Sequence, residues 1–351
     1  MPNNFKADCA ATAIGSFPHL DPDSAFGLIT RTLPEIPCWP QLPKRGIQEE
    51  MCVQYTEGMP FFHLIPEKKK FYLAIHDDVS ELESLYEGSS TNDFSGFAVS
   101  PGYAAGLYAM EKHLSEFKRI KAVKGQIVGP ITLAANLKDE EGTAALFNTT
   151  YNDAVIKLLC LKAQWQINFL SRFNLPVIIF ADEPFLSCMG SAFATVSRDT
   201  IVNTFNEVFR SIKSQGAMAA IHCCGNTDWG MILDTALDIL SFDAFLFMDK
   251  VLAYSTDVRK FVERGGILSW GIAPTTADGL EGIDADSLIA KMEKGLEYLS
   301  QKGMDKKVVL RNSLITPSCG TGTLTVAESE KAMTLTCEVS TILKERYGLG
   351  P

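Results

Sequence analysis

Short apolar stretches recur along the chain, and each stops at a polar residue or a Gly/Pro cluster. Residues 11–14 (ATAI) run into Gly15-Ser16, and residues 36–39 (IPCW) run into Pro40. Residues 122–128 (AVKGQIV) precede Gly129-Pro130, and residues 177–180 (VIIF) precede Asp182-Glu183-Pro184. Further on, 217–221 (AMAAI) ends at His222, 244–247 (AFLF) precedes Asp249, 267–270 (ILSW) meets Gly271, and 308–310 (VVL) leads towards Pro317-Ser318-Cys319. Continuous apolar strands of this length belong to a parallel sheet covered on both faces. Amphipathic stretches with helical spacing lie between them, at 150–172, 200–215, 286–301 and 327–346. Eight such alternations predict an α/β fold, a single (β/α)8 TIM barrel filling residues 1–351. A doubly wound sheet is the alternative, but no GxGxxG follows any of the strands. Residues 41–103 break the rhythm and read as a long insertion after the second strand, on the rim where barrel enzymes bind substrates. The run Lys68-Lys69-Lys70 within it reads as a solvated loop.

Composition narrows the function. Thirty-two basic residues against 42 acidic ones leave a net charge of -10. Such a surface repels phosphates and anionic lipid, so neither nucleic acid nor a membrane surface is an expected partner. No apolar run reaches the roughly 20 residues that a membrane span needs. The opening MPNNFKADCA has no apolar h-region and does not read as a secretory signal. Nine cysteines, an odd number, point with that to reduced thiols in the cytoplasm.

In a barrel, side chains at the C-terminal strand ends converge on one mouth. The predicted ends supply Ser16, Asp182, Glu183, His222, Cys224, Asp249 and Cys319. In an extended strand end, His222 and Cys224 face the same way while Cys223 faces away. Imidazole plus thiolate is half of a zinc site, and Cys319, set among Pro and Gly, is the candidate third ligand. Three protein ligands with an open fourth position describe a catalytic zinc, and two thiolates suit it to binding and activating a further thiol. Asp182 closes a buried strand, where a carboxylate needs a partner such as a substrate ammonium. Glu183 reads instead as an acid at a helix N-terminus, with Pro184 in the first turn.

In order, Ile14-Gly15-Ser16-Phe17-Pro18, Gly129-Pro130-Ile131-Thr132, Asp182-Glu183-Pro184, His222-x-Cys224 and Cys319-Gly320 resemble the catalytic barrel of cobalamin-independent methionine synthase. They also resemble its superfamily relatives, the methylcobalamin:coenzyme M methyltransferases and uroporphyrinogen decarboxylase. The resemblance implies zinc held by His222, Cys224 and Cys319, with Asp249 or Met248 where the family has a fourth ligand. It implies that Ile14, Gly15, Ser16 and Asp182 contact the amino-acid end of homocysteine. Gln54 stands where the family has a glutamate that helps hold the homocysteine ammonium.

The departures bear on the donor. The chain is too short for the family's second barrel. The folate-binding tryptophan corresponds to Asn136, and a folate-contacting glutamate falls near Cys188. The catalytic histidine of the seventh strand is missing from Gly271-Ile272-Ala273-Pro274. The expected donor is therefore methylcobalamin or a corrinoid protein. Homocysteine is the first expected acceptor and coenzyme M the second, with a decarboxylase-type lyase as the rival. Gln126, Asn136, Asn226 and Tyr103 are further candidates for the lining of the mouth.

Overall fold

The computed structural model describes residues 5–75, 80–188 and 196–350. Its strands in chain order are β1 (Ala10–Ala11), β2 (Phe62–Ile65), β3 (Lys70–Leu73), β4 (Val123–Val128), β5 (Val177–Asp182), β6 (Met218–Cys223), β7 (Ile239–Phe242), β8 (Ile267–Ala273) and β9 (Ser313–Pro317). Seven of them form one curled parallel sheet in the order β1-β9-β8-β7-β6-β5-β4, while β2 and β3 make a separate antiparallel hairpin. The fold is a TIM-barrel-like α/β curl with helices outside.

The four predicted helices form at Thr149–Ser171, Arg198–Ser214, Ala285–Gln301 and Val326–Tyr347. Their starts are chemically marked. Asn148 accepts from the Thr150 and Tyr151 amides, and Thr325 with Glu328 closes a reciprocal capping box.

Three strand expectations are corrected. Residues 244–247 lie in the helix Ala244–Leu252, and 308–310 lie in the helix Lys306–Arg311. Short apolar runs look alike whether they enter a buried strand or a buried helix. The strands in those places are β7 and β9, whose ILSF and SLITP sequences carry Ser and Thr. Residues 36–39 make only an isolated bridge, Cys38 to Lys124, because Pro37 and Pro40 cannot donate to a ladder. That segment nevertheless spans the space between the sheet's two edges. Lys124 N donates to Pro37 O at 2.9 Å and Trp39 N to Lys124 O at 3.3 Å. On the other side, Gln41 N donates to Gly15 O at 2.9 Å and Phe17 N to Gln41 O at 2.8 Å. Beyond it, residues 41–103 carry short turns, the hairpin and the helix Glu83–Thr91.

Two cores follow from strands covered on both faces. Inside the curl, Ile14, Ile178, Phe180, Met218, Ala220, Ile239, Ile267 and Leu314 pack together. Outside, Trp229, Phe242 and Trp270 belong to the larger core under the helices. Each fully buried side chain of this size contributes roughly 1.5–3 kcal/mol.

Alternation along β5 and β6 puts Asp182 two residues beyond Phe180 and His222 two beyond Ala220, so both face the interior at the top of the inner core. The register aligns them, with Asp182 opposite His222, His222 opposite Ser241 and Ser241 opposite Ser269. At the other end of the sheet several charged and polar groups meet within the fold. Glu35 joins Lys121 at 2.6 Å and also Lys344. The buried Cys9 thiol donates to Leu310 O at 3.3 Å, and Ser340 Oγ donates to Cys9 O at 2.6 Å.

Candidate metal centre

His222, Cys224 and Cys319 come together at the C-terminal end of the sheet, their ligand atoms all within 4.8 Å of one another. Each arrives by a different local route. His222 is an inward residue of β6, Cys224 follows directly where the strand gives out, and Cys319 sits in the turn after β9. That turn rests on the strip after β1. Thr321 N and Thr321 Oγ1 both donate to Ser16 O, at 2.9 and 3.0 Å, and Gly322 N donates to Ser16 Oγ at 3.3 Å. A Cβ on Gly320 would lie 2.0 Å from Ser16 Oγ, so the close approach demands glycine. Gly15 is fixed in the same way, with φ +143° and the Gln126 side chain 2.7 Å from where its Cβ would be.

The imidazole of His222 is buried, and its Nδ1 is hydrogen-bonded to Ser241 Oγ at 3.0 Å. Its Nε2 is buried with no hydrogen-bond partner. An Nδ1–H donated to the serine leaves the Nε2 lone pair free, the arrangement of a ligating histidine oriented from behind. The two cysteines share protons unequally. The Cys319 thiol, together with His222, pulls Cys224 down to about 4, and Cys319 itself is pushed up by that neighbour and by burial. Isolated buried thiols behave differently: burial pushes Cys9, Cys160 and Cys223 up to about 12. One thiolate, a second thiol beside it and an open imidazole nitrogen fit a soft divalent metal, and zinc suits this donor set.

Two carboxylates stand next to the cluster. Burial raises Asp182 to about 6 against the pull of Lys124 and His222, and its Oδ1 is buried without a hydrogen-bond partner. Asp243, one residue past β7, is buried, caps the Leu246 amide at 2.8 Å, and is raised to about 6 by burial while feeling both His222 and Cys224. Glu183 is spent elsewhere. Fully buried, it accepts from Ile131 N at 2.9 Å, Thr132 N at 3.0 Å and Thr132 Oγ1 at 2.7 Å. It therefore caps the helix Pro130–Asn136, which follows the neighbouring strand β4, rather than a helix opened by its own Pro184.

The structure does not bring Asp249 to the cluster. It lies mid-helix in Ala244–Leu252, its side chain 72% exposed and 3.3 Å from Lys250. The misread strand at 244–247 put the strand end five residues too late, and Asp243 is the carboxylate at the true end. Gln54 is fully buried, accepting from Gln41 at 3.0 Å and donating to Tyr103 O at 2.5 Å. Both ends of its amide are engaged within the wall. Sequence reasoning passed over Ser241, Asp243 and Lys124. A lysine inside an apolar strand was the one visible signal among them.

No family model and no curated protein sequence matches the chain. Solved structures do resemble it. A putative vitamin-B12-independent methionine synthase from Listeria monocytogenes aligns with a TM-score of 0.54 at 11% identity, over 92% of this chain and 85% of that one. A B12-independent methionine synthase from Shewanella sp. W3-18-1, in complex with selenomethionine, aligns with a TM-score of 0.48 at 13% identity, over 68% and 67% of the two chains. The first likeness establishes a shared fold, and the second is too loose to bear an argument.

Proposed function

We propose that the protein is a zinc-dependent methyltransferase that carries a methyl group to a thiol, on a single barrel domain whose irregular eighth strand is the segment 36–41. The observation that carries this reading is the His222–Cys224–Cys319 cluster with its unpartnered imidazole nitrogen. Zinc bound there supplies Lewis acidity that holds an acceptor thiol as thiolate at neutral pH. The chain's own residues do the rest. Ser241 fixes the ring of His222, the strip Ile14-Gly15-Ser16 lines the approach beside Cys319, and Asp182 faces the acceptor's tail.

Homocysteine, giving methionine, is the first acceptor in this reading, and coenzyme M is the second. The Listeria protein is a putative B12-independent enzyme, so a corrinoid donor rests on this chain's own departures. Asn136 is exposed and back-bonded to Thr132 O at 2.8 Å, offering no aromatic platform, and β8 ends in Ala273 without a histidine. In the transfer the acceptor sulfur forms the new S–C bond as the Co–C bond of methylcobalamin or of a methyl-corrinoid protein breaks. Cobalt leaves with the electron pair as cob(I)alamin. No helix among the described residues is long and apolar enough to cross a membrane. Thiol ligands stay reduced in the cytoplasm, the proposed location.

The test follows cobalt absorbance with methylcobalamin, zinc-loaded protein and homocysteine, coenzyme M or no thiol. Thiol-dependent loss of methylcobalamin, abolished by removing zinc, is expected. Methyl transfer that survives zinc removal, or none with either thiol, overturns the reading.

A further inference from the structure

Lys124 is fully buried within β4, whose only other polar side chain is Gln126. A cation there is expensive unless it is paired and hydrogen-bonded. Its partners are few and definite. Nζ donates to the Ile14 carbonyl and to Gln126 Oε1, the latter at 3.0 Å, and it lies over the Phe180 ring, 4.6 Å from the centroid. Asp182 is the carboxylate whose charge it feels. Ile14 opens the strip that continues through Gly15 to Ser16, on which the Cys319 turn rests. The ammonium therefore anchors the backbone at the head of the strip, and it feels the charge of Asp182 without a direct ion pair to it.

Closing the sheet does not require a charge at this point. The bridging bonds to Pro37 O and from Trp39 N use only the Lys124 backbone, and a methionine would fill the same volume. A charge retained in an apolar interior calls for another reason.

We infer that Lys124 is a positioning residue for the acceptor, its buried side chain tying the Ile14–Ser16 strip to Gln126 of β4 so that the strip meets the tail of the thiol beside the metal cluster. The inference rests on the reading of the site as thiol-binding and is tested apart from methyl transfer. Homocysteine binding to zinc-loaded protein is measured by calorimetry, alongside zinc content, melting temperature and steady-state kinetics. Lys124→Met is expected to keep full zinc and a cooperative melt while binding homocysteine ~10-fold or more weakly, the size of effect that a lost charge-assisted contact gives. In turnover the loss appears in KM, with kcat nearly unchanged. Lys124→Gln keeps one donor for the Ile14 carbonyl and falls between the two, and it stands in if the methionine variant does not fold. Unchanged homocysteine affinity in a folded, zinc-replete variant overturns the inference, as does an equal loss of zinc and of thiol binding. Failure of methyl transfer in the unaltered protein, with thiol binding intact, counts against the proposed function and leaves the calorimetric comparison standing.

Discussion

The two ends of the curled sheet treat their polar groups in opposite ways. At the N-terminal end Glu35 joins both Lys121 and Lys344, and the Cys9 thiol and carbonyl are both hydrogen-bonded. At the C-terminal end His222 Nε2 and Asp182 Oδ1 are buried without hydrogen-bond partners, and the Cys224 and Cys319 sulfurs lie beside the imidazole. A buried polar atom left open costs of the order of 1–3 kcal/mol. The charges at the first end meet opposite charges within the fold, whereas the open atoms at the second lie beside the residues that could hold a metal. The same contrast divides the cysteines. A thiol buried alone is pushed up to about 12 and is inert, whereas Cys224 is drawn down to about 4 by its neighbours.

The sharpest way to break this contrast is a matched pair of substitutions. Cys319→Ser should lose zinc and activity together while circular dichroism shows the fold intact. Cys9→Ser, at the closed end, should keep both and lower only the melting temperature. Retained zinc in Cys319→Ser would falsify the ligand assignment.

A smaller effect is expected behind the histidine. Ser241→Ala removes the bond to Nδ1 and should weaken zinc affinity about 10–100-fold without abolishing it, as partners behind metal ligands do. Competition with a chelator measures this, and unchanged affinity would show that Ser241 does not orient the ring.

The smallest effect lies away from both ends. His113 is bonded to Asp23 and Glu116 at 2.7 Å each and stacked 5.1 Å from Phe26, and Lys112 shares Asp23. Burial lowers its pKa, but the two carboxylates outweigh that and leave it raised above the usual 6.5. A raised folded-state value means the contribution is fully present below the unfolded pKa and fades as pH climbs through the folded one. His113→Gln should therefore lower the melting temperature at about pH 6 and do so less at about pH 9, with zinc unaffected. A melting difference that grows with pH would reverse the assignment.

Much of this was legible in the chain because strand burial on both faces leaves a plain signal. The runs at 122–128, 177–180, 217–221 and 267–270 predict β4, β5, β6 and β8 closely, and the long helices lie within a residue or two of their predicted spans. The misreadings at 244–247 and 308–310 share one cause. Strands that face a polar interior carry Ser and Thr, as Ser241 and Thr316 do, so β7 and β9 looked less apolar than the helices beside them. His222, Cys224 and Cys319 were legible because their chemistry is rare in a chain with few histidines. Ser241 and Asp243 were not, since their role comes from register alone. Gln54 carries the right chemistry for a binding residue, but its partners are set by the folding of residues far along the chain.

The first strand of the sheet finds its partner in the last, Ala10 opposite Leu314 and Ala11 opposite Ile315. Bringing such distant segments together carries a loop-closure penalty and slows folding. During synthesis the strip at Ile14–Ser16 emerges early and waits for the turn at Cys319. The centre is thus assembled last, and a chain halted short of β9 has most of its helices but neither its seam nor its third ligand.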